Sequence, residues 1–218
     1  MNIALFDLDN TLIKGDSDYE WGNFLVEHNY VDKKSYKKKN DYFFEQYKKG
    51  ILCPKEFAKF SYEILKRYDY ENLLIMRKIF FNEKIKPLVL PKAQALIKKH
   101  RDNKDIIAIV TSTNSFISKI SAEFFNINHL LASEPEFINN KFTGNLVGEP
   151  CYQDGKLSKV KKWIKDNKFK NSKDIYFYTD SHNDLKLLEF STVPVAVDPD
   201  NILKKISVEN NWDIISLR

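Results

Sequence analysis

Asp7-Leu8-Asp9-Asn10-Thr11 follows the apolar run Ile3-Ala4-Leu5-Phe6 near the N-terminus. A short apolar run of this kind predicts a buried strand. Alternate residues of a strand share a side, so Asp7 and Asp9 would emerge together where the strand ends. Two carboxylates that close repel, and either one takes a proton or both face a cation. Three later stretches carry groups suited to the same chemistry. Thr111-Ser112-Thr113 stands between a β-branched run and a helical pattern, where hydroxyls and free backbone N–H groups form an anion cradle or simply cap the helix. Asp180 and Asp184 bracket the turn Thr179-Asp180-Ser181-His182-Asn183-Asp184. Each reads as turn chemistry alone, but with Asp7 and Asp9 they make a group of hard oxygen ligands suited to Mg²⁺. Lys156 follows Gly155 at a predicted helix start, where the helix dipole disfavours a cation unless an anion such as phosphate is bound there.

Positioning these residues requires a particular scaffold. Beyond Pro87 the pattern alternates: a helix over Pro91 to Arg101, a strand over Ile106 to Val110, and a helix capped by Asn114 or Ser115. A hairpin turn is expected at Asn139-Asn140, then a helix from Lys156 to Asn167 and a strand from Ile175 to Tyr178. A helix from Asp184 to Phe190 and a strand over Val193 to Val197 complete the pattern. Alternation of this kind predicts an α/β fold with a doubly wound parallel sheet, whose ligands sit beyond the carboxyl ends of the strands. Residues 14–87 differ. They hold more than half of the chain's aromatic residues in mostly helical spacing, which predicts four packed helices with a core of their own. The expected organisation is an α/β unit of residues 1–13 and 88–218, with a helical unit of residues 14–87 inserted after the first strand.

Composition narrows the function class. The 218 residues are 43% hydrophobic and 30% charged, an ordinary globular balance, and no apolar stretch approaches the roughly 20 residues of a membrane span. Asp7 and Asp9 interrupt the place where a secretory leader would need its apolar stretch, which predicts a cytoplasmic protein with no membrane partner. Cys53 and Cys151 have no metal-ligand spacing and read as two reduced thiols. The net charge of +5 comes largely from lysine, with clusters at Lys33 to Lys39 and Lys159 to Lys165. Interleaved acids and helical apolar spacing make these solvated helix faces, so no nucleic-acid partner is expected. A dinucleotide-binding enzyme is excluded, since no Gly-x-Gly-x-x-Gly follows the first strand.

The four stretches, in this order, resemble the motifs of the haloacid dehalogenase superfamily of phosphatases, and the resemblance spans Ile3 to Val197. Phe6 to Leu12 and Tyr178 to Leu185 are most similar to the phosphoserine-phosphatase-like branch (subfamily IB), which inserts a helical cap after the first motif. The resemblance implies a HAD-like (Rossmannoid) core. It implies Asp7 as nucleophile, forming an aspartyl-phosphate, and Asp9 as general acid and then base. It implies Mg²⁺ held by Asp7, the Asp9 backbone carbonyl and Asp180, supported by Asp184. Thr111, the Ser112 backbone and Lys156 would hold the phosphoryl oxygens, with Asn183 nearby. Two departures weaken the link to phosphoserine itself: Thr111-Ser112-Thr113 replaces Ser-Gly-Gly, and Ser181-His182 replaces glycine-rich residues. A third is Asp16, which stands where those enzymes carry a glutamate that reads the substrate amino group.

The substrate implied is a small phosphorylated metabolite bearing an amine. Asp16, Asp18 and Glu20 would receive the cation, and Trp21 and Tyr19 would give it an aromatic wall, unless Trp21 instead packs the cap core. Arg67 and Arg77 are weaker candidates for a substrate carboxylate. Phosphoserine, phosphoethanolamine, phosphocholine and histidinol phosphate all fit such an entrance. Two alternatives use the same acids: a phosphotransferase passing the phosphoryl group to an alcohol, and a receiver-like phosphoaspartate signalling domain. The spacing of the first acids and the helical insert argue against the second alternative.

Overall fold

The computed structural model describes residues 1–169 and 172–218. Its centre is a seven-stranded sheet in the order β4-β3-β2-β1-β5-β6-β7. The middle strand β1 (Ile3–Phe6) is wholly buried and runs parallel to β2 (Ile106–Asn114) on one side and β5 (Ile175–Thr179) on the other. Burial on both faces explains why β1 is a continuous apolar run rather than an alternating one. Outside these lie β3 (His129–Ile138), β6 (Val193–Val197) and β7 (Asp213–Ile215), all parallel to their inner neighbours, and β4 (Lys141–Val147), antiparallel to β3.

Alternation along β1 divides the core in two. Ile3 and Leu5 join a cluster with Val160, Trp163 and Ile164 of α7 (Asp154–Asp166) and with Leu187 and Leu188 of α8 (Leu185–Phe190). Ala4 and Phe6 face the other way, toward Ala93 and Ile97 of α5 (Pro91–Asp102) and Phe116 and Ile117 of α6 (Ser115–Phe124). A last helix, α9 (Asn201–Glu209), precedes β7. The sheet is therefore doubly wound, as its sequence pattern requires.

Between β1 and α5 the chain forms four helices: α1 (Ser17–Glu27), α2 (Lys33–Lys48), α3 (Pro54–Arg67) and α4 (Tyr70–Phe80). Asp16 and Asp32 cap α1 and α2 by accepting the Tyr19 and Ser35 N–H groups at 2.8 Å, and Pro54 occupies the first turn of α3. The expectation of a separate core for these helices is not met. Trp21, Phe24, Leu25, Leu65 and Phe80 belong to the same buried cluster as Phe6, Ile109 and Phe116. One continuous apolar layer joins the helices to the sheet.

Other expectations are met closely. Asn139 and Asn140 have φ of 50° and 61°, the left-handed pair that a two-residue hairpin turn demands. Asn114 caps α6, its side chain accepting the Ile117 N–H at 3.1 Å. Lys33, Lys34, Lys37, Lys38 and Lys39 are solvent-exposed on α2, while Tyr36 is half-buried. Cys53 and Cys151 are both free, the first exposed and the second buried. No helix among the described residues is long and apolar enough to cross a membrane.

Candidate active site

The carboxyl ends of β1, β2 and β5 meet at one edge, and backbone contacts fix their relative height. The Asp7 N–H donates to the Tyr178 carbonyl at 2.9 Å. Beyond β1 the chain turns sharply, with Asn10 at φ 53° and its N–H on the Gly15 carbonyl at 2.8 Å. That turn buries Thr11 completely, and its hydroxyl accepts the Asp180 N–H at 3.1 Å while reaching Asp180 Oδ1 at 3.4 Å. Residues 169 positions apart are thus stitched side to side.

Lys156 is 1% exposed and lies between two carboxylates, with Nζ 2.8 Å from Asp7 Oδ1 and 2.6 Å from Asp184 Oδ2. Burial works against its charge, but Asp184 and Asp7 outweigh that and hold the ammonium above the ordinary lysine range. Its approach depends on Gly155, where any Cβ would lie 1.9 Å from the Pro150 carbonyl oxygen. The second oxygen of Asp7, Oδ2, is buried without a hydrogen-bond partner. Burial pushes the Asp7 carboxyl up to about 7, Asp184 and Asp9 add to the rise, and Lys156 opposes it. Burial, Asp7 and Asp184 likewise raise Asp180 well above the usual carboxylate range.

Asp9 sits in a web of donors. It accepts the Ser17 N–H at 2.6 Å, the Thr113 hydroxyl at 2.9 Å and the Thr111 hydroxyl at 3.3 Å. The Thr113 N–H in turn donates to Thr111 Oγ1 at 3.1 Å. The extension of β2 to Asn114, four residues past the expected end, brings Thr111 and Thr113 to this carboxylate. Ser17 and Thr113 carry much of the Asp9 geometry, yet only Thr113 stood inside a recognisable motif.

Among the described residues, no group of three or more His, Cys, Asp or Glu side chains forms a ready-made metal cage. Asp184 is committed to Lys156 and to the Thr179 hydroxyl at 2.7 Å. The free oxygen of Asp7 beside Asp180 nevertheless suits Mg²⁺, which takes one or two carboxylates and keeps several waters.

Over this edge lies a cavity lined by Asp9, Ser112 and Thr113 from the sheet side and by Asp16, Asp18, Tyr19, Phe43, Phe44, Tyr47, Phe57 and Tyr62 from α1, α2, α3 and their junctions. Burial and the nearby Asp9 push Asp16 up to about 8. Burial, Asp16 and Asp9 also raise Asp18 well above the usual carboxylate range, and the Asn114 amide reaches it at 3.4 Å. Trp21 is not on this wall. It is 1% exposed and packs against Phe24, Phe80 and Phe116 with ring centroids 5.1 to 6.3 Å apart. Arg77 donates to the Phe116 carbonyl at 2.9 Å, and Arg67 is exposed. Asn183 faces the helices rather than the strand edge: its amide donates to the Tyr47 carbonyl at 3.1 Å and accepts the Tyr152 hydroxyl at 3.0 Å. Tyr47 and Tyr152, both on the cavity wall, carried no local signal in the sequence.

A doubly wound sheet with a helical insert folded over its reactive edge defines a capped α/β enzyme. The chain matches the family model of haloacid dehalogenase-like hydrolases over residues 4–189, and it belongs to that family. It is 34% identical to a histidinol-phosphatase of Neisseria meningitidis, over 100% of this chain and 99% of that one. A crystal structure of a protein of unknown function from Bordetella pertussis superposes with a TM-score of 0.94 at 33% identity, covering 100% and 99% of the two chains. The fold also matches a phospho-aspartyl intermediate analogue of phosphoserine phosphatase, with a TM-score of 0.72 at 18% identity over 100% and 93%.

Proposed function

We propose that this protein is a Mg²⁺-dependent phosphatase that hydrolyses a small amine-bearing phosphomonoester through an aspartyl-phosphate on Asp7. The single observation that carries the reading is the Asp7 carboxylate. One oxygen is held by a buried lysine and the other has no hydrogen-bond partner, two residues before Asp9, which lines the cavity. Lys156 fixes the carboxylate and lies where it can neutralise transferring phosphoryl oxygens. Thr111 and the Ser112 backbone would hold those oxygens; Ser112 lines the cavity, and the Thr111 hydroxyl reaches Asp9 at 3.3 Å. Asp9, oriented by Ser17 and Thr113, protonates the leaving alcohol and then deprotonates the attacking water. Asp7, Asp180 and the Asp9 carbonyl would hold Mg²⁺, with Asp184 supporting through Lys156. Bound there, the ion offsets the repulsion between an anionic nucleophile and an anionic phosphate.

The cap supplies the recognition. Asp16 and Asp18 are carboxylates in an otherwise aromatic wall, suited to an ammonium group on a substrate whose remainder is flat or apolar. A ring-bearing amine such as histidinol phosphate fits this wall better than phosphoserine, whose carboxylate would meet further acids. The full-length similarity to a histidinol-phosphatase supports the same choice. The test is a panel of phosphorylated metabolites with purified protein and Mg²⁺. Release of phosphate from histidinol phosphate well above phosphoserine and a generic aryl phosphate is the expected result. Silence on every monoester would remove the reading.

A further inference from the structure

Gln153 stands three residues before Lys156 with φ 46° and ψ −114°, a conformation that side-chain-bearing residues rarely adopt. Such a backbone persists only where its surroundings enforce it, and these outliers concentrate at functional sites. The side chain does not cap its own helix. It reaches away from α7 instead, with Nε2 3.2 Å from the Gly50 carbonyl, 3.3 Å from Asn183 Oδ1 and 3.3 Å from the Tyr152 hydroxyl.

Gly50 lies just beyond α2, where a helix leaves carbonyls in need of donors. The core supplies them: Gln153 to the Gly50 carbonyl, and Asn183 to the Tyr47 carbonyl. Gly50 is itself at φ +69°, and a Cβ there would lie 2.8 Å from His182 Nε2 and 3.2 Å from Asn183 Oδ1. The cap therefore approaches the core here as closely as a glycine permits.

On the other side of Gln153, the backbone controls the start of α7. The Lys156 N–H donates to the Gln153 carbonyl at 3.1 Å, and the Gly155 N–H to the Tyr152 carbonyl at 2.9 Å. Gly155 lies too close to the Pro150 carbonyl for any Cβ, so the backbone around residue 153 and the first turn of α7 are tightly confined together.

We propose that Gln153 is a positioning residue that uses its bond to the cap carbonyl at Gly50 to hold the strained turn aiming Lys156 at Asp7. The role rests on the phosphatase reading of the Asp7 site. It means that docking of α2 on the core and the aim of the phosphate-facing lysine are one event. Tyr47 and Tyr152 extend that coupling to the substrate wall.

Three variants and one double variant test it. Gln153→Ala loses the amide but keeps the strain, so kcat should fall about tenfold with KM within about twofold. Gln153→Gly loses the amide and the strain together, because glycine takes this backbone freely, and should return to within about threefold of wild type. Gly50→Ala breaks the same contact from the cap and should also cost about tenfold; combined with Gln153→Ala it should cost no more than either alone. Amide exchange at Lys156 reads the coupling without turnover. It should quicken about tenfold in Gln153→Ala and Gly50→Ala and stay near wild type in Gln153→Gly. Thermal unfolding confirms that each variant is folded. Multiplication of the two single losses to about a hundredfold would overturn the proposal. So would a Gln153→Gly variant no better than Gln153→Ala, in turnover or in exchange. A wild-type protein inactive on all monoesters but showing the exchange pattern would remove the phosphatase reading and keep the coupling.

Discussion

The strand edge and the cap wall treat charge in opposite ways. At the edge, opposite charges meet: Lys156 lies between Asp7 and Asp184, within 2.8 Å of each. On the wall, Asp16 and Asp18 meet only each other, Asp9 and neutral donors, and neither makes an ion pair among the described residues. On the proposed reading, the paired edge is preorganised to act on any phosphate that reaches it. A cationic visitor would, on the same reading, stabilise the charged forms of the unpaired wall acids. Substitutions of the paired charges at the edge should then strike turnover, and substitutions of the wall acids should strike selectivity.

Asp7→Asn is the most severe test of the edge. Phosphate release should fall by at least about a thousandfold with the fold intact by circular dichroism. Lys156→Met should abolish activity as well and, by leaving Asp7 and Asp184 buried without a cation, cost about 3–5 kcal/mol in denaturant unfolding. If its stability matched wild type, the Lys156 ion pairs would not be holding the edge together. Chelation by EDTA should stop phosphate release and added Mg²⁺ restore it. Full activity in the chelator would remove the cation from the reading.

Asp16→Asn sharpens the comparison from the cap side. The KM for an amine-bearing substrate should rise about tenfold, whereas that for a generic aryl phosphate should change little. Its stability has a defined sign. Burial and Asp9 push the folded Asp16 carboxyl up to about 8, against an ordinary carboxylate value of 3.8 in the unfolded chain. The wild type therefore loses stability as pH rises through that window. Asparagine still caps α1 but removes the slope, so the Tm advantage of the variant should grow from pH 4 to pH 8. Trp21→Phe should be the mildest change: about 1–2 kcal/mol of stability from lost packing, with KM unaltered. A shifted KM would put Trp21 back on the wall.

The edge was legible in the sequence because each motif is local. Asp7 and Asp9 are fixed by one strand end, Asp180 and Asp184 by one turn, and a parallel sheet has few ways to arrange such ends. Lys156 was readable from Gly155 and the helix start, although its two carboxylate partners were not, being 149 and 28 residues away. The cap was legible as helices but not as a surface. Trp21 and Tyr19 stand two residues apart on α1, and only contact with Phe80 and Phe116 sends the first into the core while the second lines the cavity. Asn183 shows a related limit of local reading. Its motif fixes its position on the turn, but Tyr47 and Tyr152 decide where its amide points. The shared apolar layer beneath the cap was equally invisible, since periodicity shows which residues face inward and not what they face.

The two thiols differ in a way that is useful in the laboratory. Cys151 is fully buried and its sulfhydryl is pushed up to about 12, which leaves it inert, whereas Cys53 is exposed at the start of α3 beside Pro54 on the cavity rim. A maleimide dye would therefore label the unmutated protein at a single place. Its emission would report on what enters the cavity beside it.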